Sequence, residues 1–155
     1  MEDLSQVLKM DTADQEAYHW RARYQHELQR YDLAIRDIYA AIALDPDNAD
    51  YHKDLHQMLF FAGRYEEAFE TAREFLPVAP ATPDRVVTLF IVCVTGRITG
   101  QDIALFDQEF TTSLETEANL SALDIESLEA WLPRCPPAHR HYVVSLLEKY
   151  KAKSK

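Results

Sequence analysis

His52 and His56 stand four residues apart, which places two imidazoles on one face of a helix, as in the first half of a zinc site. Asp54 lies between them but faces elsewhere, and no further pair of ligands can be nominated. The expectation is packed, hydrogen-bonded histidines. A metal-binding or enzymatic protein built on His52 and His56 is the minor alternative. His139-Arg140-His141 puts neighbours on different faces and reads as surface. Cys93 falls within the apolar run from Phe90 to Val94 and reads as a small hydrophobe. Cys135 sits in a proline-rich loop beside Arg134 and reads as a passive thiol, with a reactive one as the alternative. Two cysteines without ligand spacing supply neither a metal site nor a disulfide framework. The chain carries no nucleophile elbow, P-loop, HExxH or paired-cysteine motif. Acid pairs such as Glu66-Glu67 read as solvated charges at a helix start. The residues with chemical potential therefore predict no catalytic centre, no metal and no cofactor.

Composition narrows the class. The chain has 155 residues, 47% of them hydrophobic, enough for a sizeable core and too many for a disordered chain. Its formal charge of −10, from 26 acids against 16 Lys plus Arg, argues against a general binder of nucleic acid or anionic membrane. Only three glycines occur, too few for phosphate cradles or a turn-rich β fold. The longest apolar run, Val86 to Val94 with Thr88 inside it, falls well short of the roughly 20 residues of a membrane helix. Met1-Glu2-Asp3 lacks the basic start of a signal peptide. The expectation is a soluble cytoplasmic protein with free thiols.

The elements that must position these side chains are set by an internal repeat. Tyr31-Asp32-Leu33-Ala34-Ile35 aligns with Tyr65-Glu66-Glu67-Ala68-Phe69. The same offset of 34 brings Ile38 onto Ala72, Ala41 onto Phe75 and Pro46 onto Pro80. Upstream it brings Tyr18 onto His52, Ala22 onto His56 and Gln25 onto Leu59. Two successive units follow, at 15–48 and 49–82. In each, two helices are predicted. Ala34, Ile35, Ile38, Ala41 and Ile42 recur at steps of three and four, the spacing of one helical face. Asp45-Pro46-Asp47-Asn48 stops that helix, and Pro77 and Pro80 stop its counterpart. Gly63 falls where a left-handed C-cap is wanted.

These features resemble the tetratricopeptide repeat (TPR): the period, the Tyr-x-x-Ala opening of the second helix, the Ala34 and Ala68 pair, and the terminal Pro46 and Pro80. Unit one has Arg21-Ala22 and unit two Leu55-His56 where the family pattern has Leu-Gly, so the first helices match loosely. The resemblance implies an all-α fold, a TPR-like right-handed superhelix of antiparallel helix pairs with a C-terminal capping helix.

The remainder reads as one domain with that array. Residues 1–14 form half a repeat, with Leu4, Val7 and Leu8 at helical spacing, either as an N-terminal cap or as part of a longer solenoid. Residues 83–120 form a degenerate third repeat. Thr82 and Pro83 start its first helix, which runs through the β-branched segment from Arg85 to Thr95 and ends at Gly96. Gly100 or Gln101 starts the next, with Ile103, Ala104, Phe106, Phe110 and Leu114 as its apolar stripe. Residues 121–155 form capping helices. Ser121 to Asp124 caps a short helix holding Ile125, Leu128 and Trp131. Pro137 opens a last one running to about Lys151, with Tyr142, Val143, Leu146, Leu147 and Tyr150 as its face. From Asp102 to Glu129 there is no Lys or Arg, which reads as a solvated face.

The resemblance also implies where function resides, on the concave side lined by the first helix of each unit. Its groove positions fall on Glu16, His19, Trp20, Arg23, His26 and Glu27, and on Asp50, Lys53, Asp54, Gln57, Phe60 and Phe61. In the third unit they fall on Val87, Thr88, Ile91 and Val94. His19, Trp20, Arg23, His26, Lys53, Gln57 and Phe60 are the expected partner-binding set. Trp20 and Phe60 serve as apolar anchors, unless they pack between helices, and Arg23 and Lys53 as pairs for a carboxylate. The missing groove asparagines disfavour the carboxylate clamp of the co-chaperones. The expected function is a non-catalytic adaptor or scaffold that binds a protein or peptide segment, with no nucleic acid, no membrane insertion and self-association left open. A dedicated chaperone for an exported secretion-system client is the alternative.

Overall fold

The computed structural model describes residues 14–79, 83–116 and 124–153, and every regular element among them is helical. Eight α-helices succeed one another: α1 (Gln15–Glu27), α2 (Tyr31–Leu44), α3 (Ala49–Phe61), α4 (Tyr65–Phe75), α5 (Pro83–Thr99), α6 (Ala104–Thr116), α7 (Ile125–Trp131) and α8 (Pro137–Lys153). One turn of 3-10 helix, Leu132–Arg134, joins the last two. Residues 1–13 of the expected half-repeat, the Thr82 cap, the Pro80 stop and Ser121-Ala122-Leu123 lie outside the described residues. None of the described helices is long and apolar enough to cross a membrane. The chain divides into two compact units, Met1–Arg64 and Tyr65–Lys155.

In the first unit α1 packs on α2, α2 on α3, and α1 also meets α3. Small residues permit the close contacts: Ala22, Ala34 and Ala41 are wholly buried, with Ile38 beside them. Polar side chains close the helix starts, where the first backbone N–H groups have no partner inside the helix. Asp14 accepts from the Ala17 amide at 2.8 Å, and Asn48 accepts from that of Asp50 at 3.2 Å. Pro46 follows Asp45, the residue that ends α2. Gly63 takes φ +79° and ends α3 as a left-handed cap.

One part-buried charge pair ties α1 to α2. Arg21 donates from Nε and one terminal nitrogen to the two oxygens of Asp37, at 2.6 and 2.5 Å. Asp37 lies among the apolar residues of α2 and is 4% exposed. The hydrogen bond to Asp37 raises the Arg21 pKa above its already high ordinary value, which keeps the guanidinium charged.

The second unit is built around α5. Alone, its β-branched run reads as well as a strand, but it is a helix and every residue from Val86 to Gly96 is buried. Thr95 meets the cost of burying a hydroxyl by donating to the Ile91 carbonyl at 2.6 Å. Helices α4, α6 and α8 all pack on α5. Arg85 binds back to the Leu76 and Ala79 carbonyls beyond α4 and pairs with Glu109 of α6.

Two boundaries differ from expectation. Helix α5 does not end at Gly96 but continues to Thr99, and Gly100, at φ +76°, makes the turn. The Gln101 amide then donates to the Gly96 carbonyl at 2.8 Å, satisfying an end-of-helix acceptor. Helix α6 consequently starts at Ala104 rather than at Gly100 or Gln101, with the Asp102 side chain accepting from the Ala104 amide. Ala104 is exposed, and the buried stripe is Ile103, Phe110 and Leu114. Asp124 caps α7 by accepting from the Ser127 amide. Helix α8 buries Val143, Leu146, Leu147 and Tyr150 as expected, while Tyr142 donates to Asp107 of α6 at 2.8 Å.

Candidate partner-binding face of the first unit

Helix α1 places residues 16, 20, 23 and 27 on one side, at steps of four, three and four. That side faces solvent. Glu16, Trp20, Arg23 and Glu27 are all exposed, as is Tyr24 next to Trp20 on the helix surface. Trp20 is 53% exposed, a large apolar surface left in water. Of the two expected aromatic anchors, therefore, Trp20 is presented to solvent.

Phe60 is not. It is wholly buried and stacks edge-on against Phe61, itself buried, with ring centroids 5.2 Å apart. The reason is local. From Met58 to Phe61 helix α3 is apolar at every position, so no polar side exists to turn these rings outward. His26 is drawn inward in the same way, with Tyr31 and Phe61 edge-on to its ring at 5.4 and 5.5 Å. Val87, Thr88, Ile91 and Val94 of α5 are likewise buried. Phe60 and these α5 positions offer no surface to a partner, whereas His26 is half-buried.

Two of the remaining expected residues, His19 and Arg23, meet at Asp54 of α3. His19 places Nε2 2.8 Å from Asp54 Oδ2, and the His19 ring lies 4.7 Å from that of buried Tyr51. Arg23 brings Nε to 3.9 Å from the same oxygen, and its guanidinium lies 5.4 Å from the centre of the Trp20 ring. At an exposed site a cation–π contact of this kind is worth about 0.5–1 kcal/mol, enough to favour this orientation of the ring. Lys53 donates to Asp50 at 3.0 Å across one helical turn, and Gln57 is half-buried. Lys53 is thus engaged within its own helix, while Arg23 stays about half exposed, with only the 3.9 Å approach to Asp54. Asp54 was legible only as a groove carboxylate. Its role as the link between α1 and α3 had no signal in the repeat, because Trp20 stands at the equivalent place in the preceding unit.

His19 and Asp54 are paired as a base and its orienter are in a catalytic triad, but among the described residues no serine, threonine or cysteine is shown bonded to the pair. Of the histidines four residues apart, His52 has Nε2 2.7 Å from the Pro46 carbonyl and His56 is buried. No group of three His, Cys, Asp or Glu arranged to hold a metal occurs among the described residues. Two cavities of about 310 and 170 Å³ lie elsewhere in the unit, along 29–33 with Ala62, and between Arg21, Gln25, Leu33, Arg36 and Asp37.

No family model matches the chain, and no curated protein matches its sequence. A crystal structure of MamA, a TPR-like helical repeat protein, superposes with a TM-score of 0.60 at 14% identity, covering 97% of this chain and 84% of that one. The likeness is one of fold. The chain has a TPR-like all-α fold.

Proposed function

We propose that the chain is a non-catalytic protein-interaction module that engages a partner segment on the α1–α3 face, with Trp20 as the anchor. The observation that carries this reading is the exposure of Trp20 beside Tyr24, with Arg23 stacked on the Trp20 ring and Asp54 holding both Arg23 and His19. Large aromatic residues concentrate binding energy, and a ring whose orientation its neighbours already favour loses less conformational freedom on binding. The TPR-like fold supports a protein partner and identifies none.

Trp20→Ala tests the reading directly. Removing an exposed side chain leaves the core intact, so the thermal midpoint should stay within a degree or two while partner binding falls at least tenfold. Binding undiminished in a folded Trp20→Ala protein moves the interface off this face. Charge reversal at Arg23 or Lys53 is a poorer probe. Each would set a new carboxylate beside Asp54 or Asp50 and disturb the face itself.

A further inference from the structure

We infer that the segment bound on this face is basic as well as apolar, an inference that rests on the partner-binding reading above. The α1–α3 face holds four carboxylates, Glu16, Glu27, Asp50 and Asp54, against two cations, Arg23 and Lys53. Both cations are already answered within the unit, Arg23 by Asp54 and Lys53 by Asp50. Glu16 and Glu27 have no cationic partner among the described residues, and both are exposed on the same side of α1 as Trp20. The unanswered charge around the exposed ring is therefore negative.

The positions matter as much as the sign. Glu16 precedes Trp20 by one helical turn, and Glu27 follows it by two. An aliphatic or aromatic side chain laid on Trp20 would carry its neighbours over these two carboxylates. Lysine or arginine there gains charge-assisted hydrogen bonds, and a cation also gains from an indole ring. Aspartate or glutamate there meets like charge while losing water. Arg23 offsets one of these charges only in part, because its guanidinium also lies 3.9 Å from Asp54 and 5.4 Å from the centre of the Trp20 ring. A carboxylate partner would compete with Asp54 for Arg23, whereas a basic one meets Glu16 and Glu27, which have no cationic partner among the described residues.

The test uses a displayed library of random dodecapeptides selected on the full chain and counter-selected on Trp20→Ala. The expected result is a set of Trp20-dependent peptides carrying Lys or Arg beside an aliphatic or aromatic residue. For those peptides Glu16→Lys with Glu27→Lys should weaken binding at least tenfold. The control pair Glu66→Lys with Glu126→Lys has the same net charge and changes exposed acids of the second unit, and it should weaken binding less than threefold. Binding should also weaken as salt rises from 0.05 to 0.5 M. Trp20-dependent peptides that are acidic or uncharged overturn the basic partner and leave the partner-binding face standing. Equal loss in the two charge-reversal pairs also overturns it, since attraction to the whole acidic chain then accounts for the result. Peptides that bind wild type and Trp20→Ala alike, or no enrichment at all, overturn both readings.

Discussion

Gln29 and Gly63 do the same work thirty-four residues apart, and only one of them is suited to it. Both have positive φ, 56° for Gln29 and 79° for Gly63, just past the first helix of a unit. The hydrogen bonds repeat as well. After α1 the Arg30 amide donates to the Gln25 carbonyl and the Gln29 amide to that of His26; after α3 the Arg64 amide donates to Leu59 and the Gly63 amide to Phe60. This is a paired C-cap whose central residue must be left-handed, a conformation that costs a residue with a Cβ about 1–2 kcal/mol.

Gln29→Gly should therefore stabilise the protein. The gain from relieving the left-handed strain is partly offset by the greater freedom of glycine in the unfolded chain, leaving about 0.5–1 kcal/mol. Gly63→Ala should cost about 1 kcal/mol for the converse reason. Its added Cβ meets nothing within 4 Å, so the loss would be purely conformational. Urea unfolding of the two variants measures both signs. A stabilised Gly63→Ala would show that the cap geometry is not that of the folded chain.

Gly96 behaves oppositely to an ordinary glycine in a helix. Alanine in a helix interior normally gains about 1 kcal/mol over glycine. Here a Cβ would lie 2.5 Å from Ile103 Cγ2 and 2.7 Å from Phe69 Cε2, both side chains of the buried core. Gly96→Ala should instead lose about 1–3 kcal/mol through overpacking. Ile103→Ala in the same chain should recover part of that loss, because it removes the nearer obstacle. Additive losses in the double variant, read by chemical denaturation, would sever the inferred contact between Gly96 and Ile103.

Much of this architecture was legible in the residues, and its failures have physical causes. The bounds of α2 and the left-handed Gly63 follow from apolar spacing and from the conformational needs of one residue. Ala34 and Ala68, and likewise Ile38 and Ala72, are wholly buried at equivalent places, as the offset of 34 requires. Gly96 was misread as a stop because glycine both ends helices and admits close neighbours. Only the position of Ile103 and Phe69 in space separates the two roles. Phe60 was misassigned because a fixed list of groove positions takes no account of an apolar helix end. The pair of Arg21 and Asp37 left a readable trace, an acid among the buried residues of α2 and an arginine on the preceding helix.

That pair supports a third prediction. Asp37→Asn keeps the shape and removes the charge, leaving Arg21 partly buried against a weaker acceptor. The cost should be about 2 kcal/mol, below the full value for a buried ion pair because the Arg21 side chain retains contact with water. Replacing both residues, as Arg21→Met with Asp37→Leu, should cost less than either single change. A double-mutant cycle in unfolding free energy measures the coupling, and a coupling near zero would mean the two side chains do not hold α1 to α2.

Cys93 links burial to pH. It lies on α5 with no measurable exposure, and burial, aided by the nearby Asp107 carboxylate, pushes its thiol up to about 12 from an ordinary 9.0. Burial also raises the Cys135 thiol, with Arg140 opposing the shift. Both native thiols should therefore ignore a disulfide reagent at pH 8, and labelling should proceed only as fast as the chain opens. The sign of the linked stability follows from the same shift. Below pH 9 the Cys93 thiol is neutral in both folded and unfolded chains and costs nothing. Between pH 9 and 12 the unfolded chain ionises while the folded one cannot, so stability falls as pH rises. Cys93→Ala should be less stable at pH 8 because of the cavity it leaves, yet lose less additional stability between pH 9 and 11 than the wild type. Parallel losses in the two proteins over that interval would mean that the Cys93 thiol ionises as readily in the folded chain as in water.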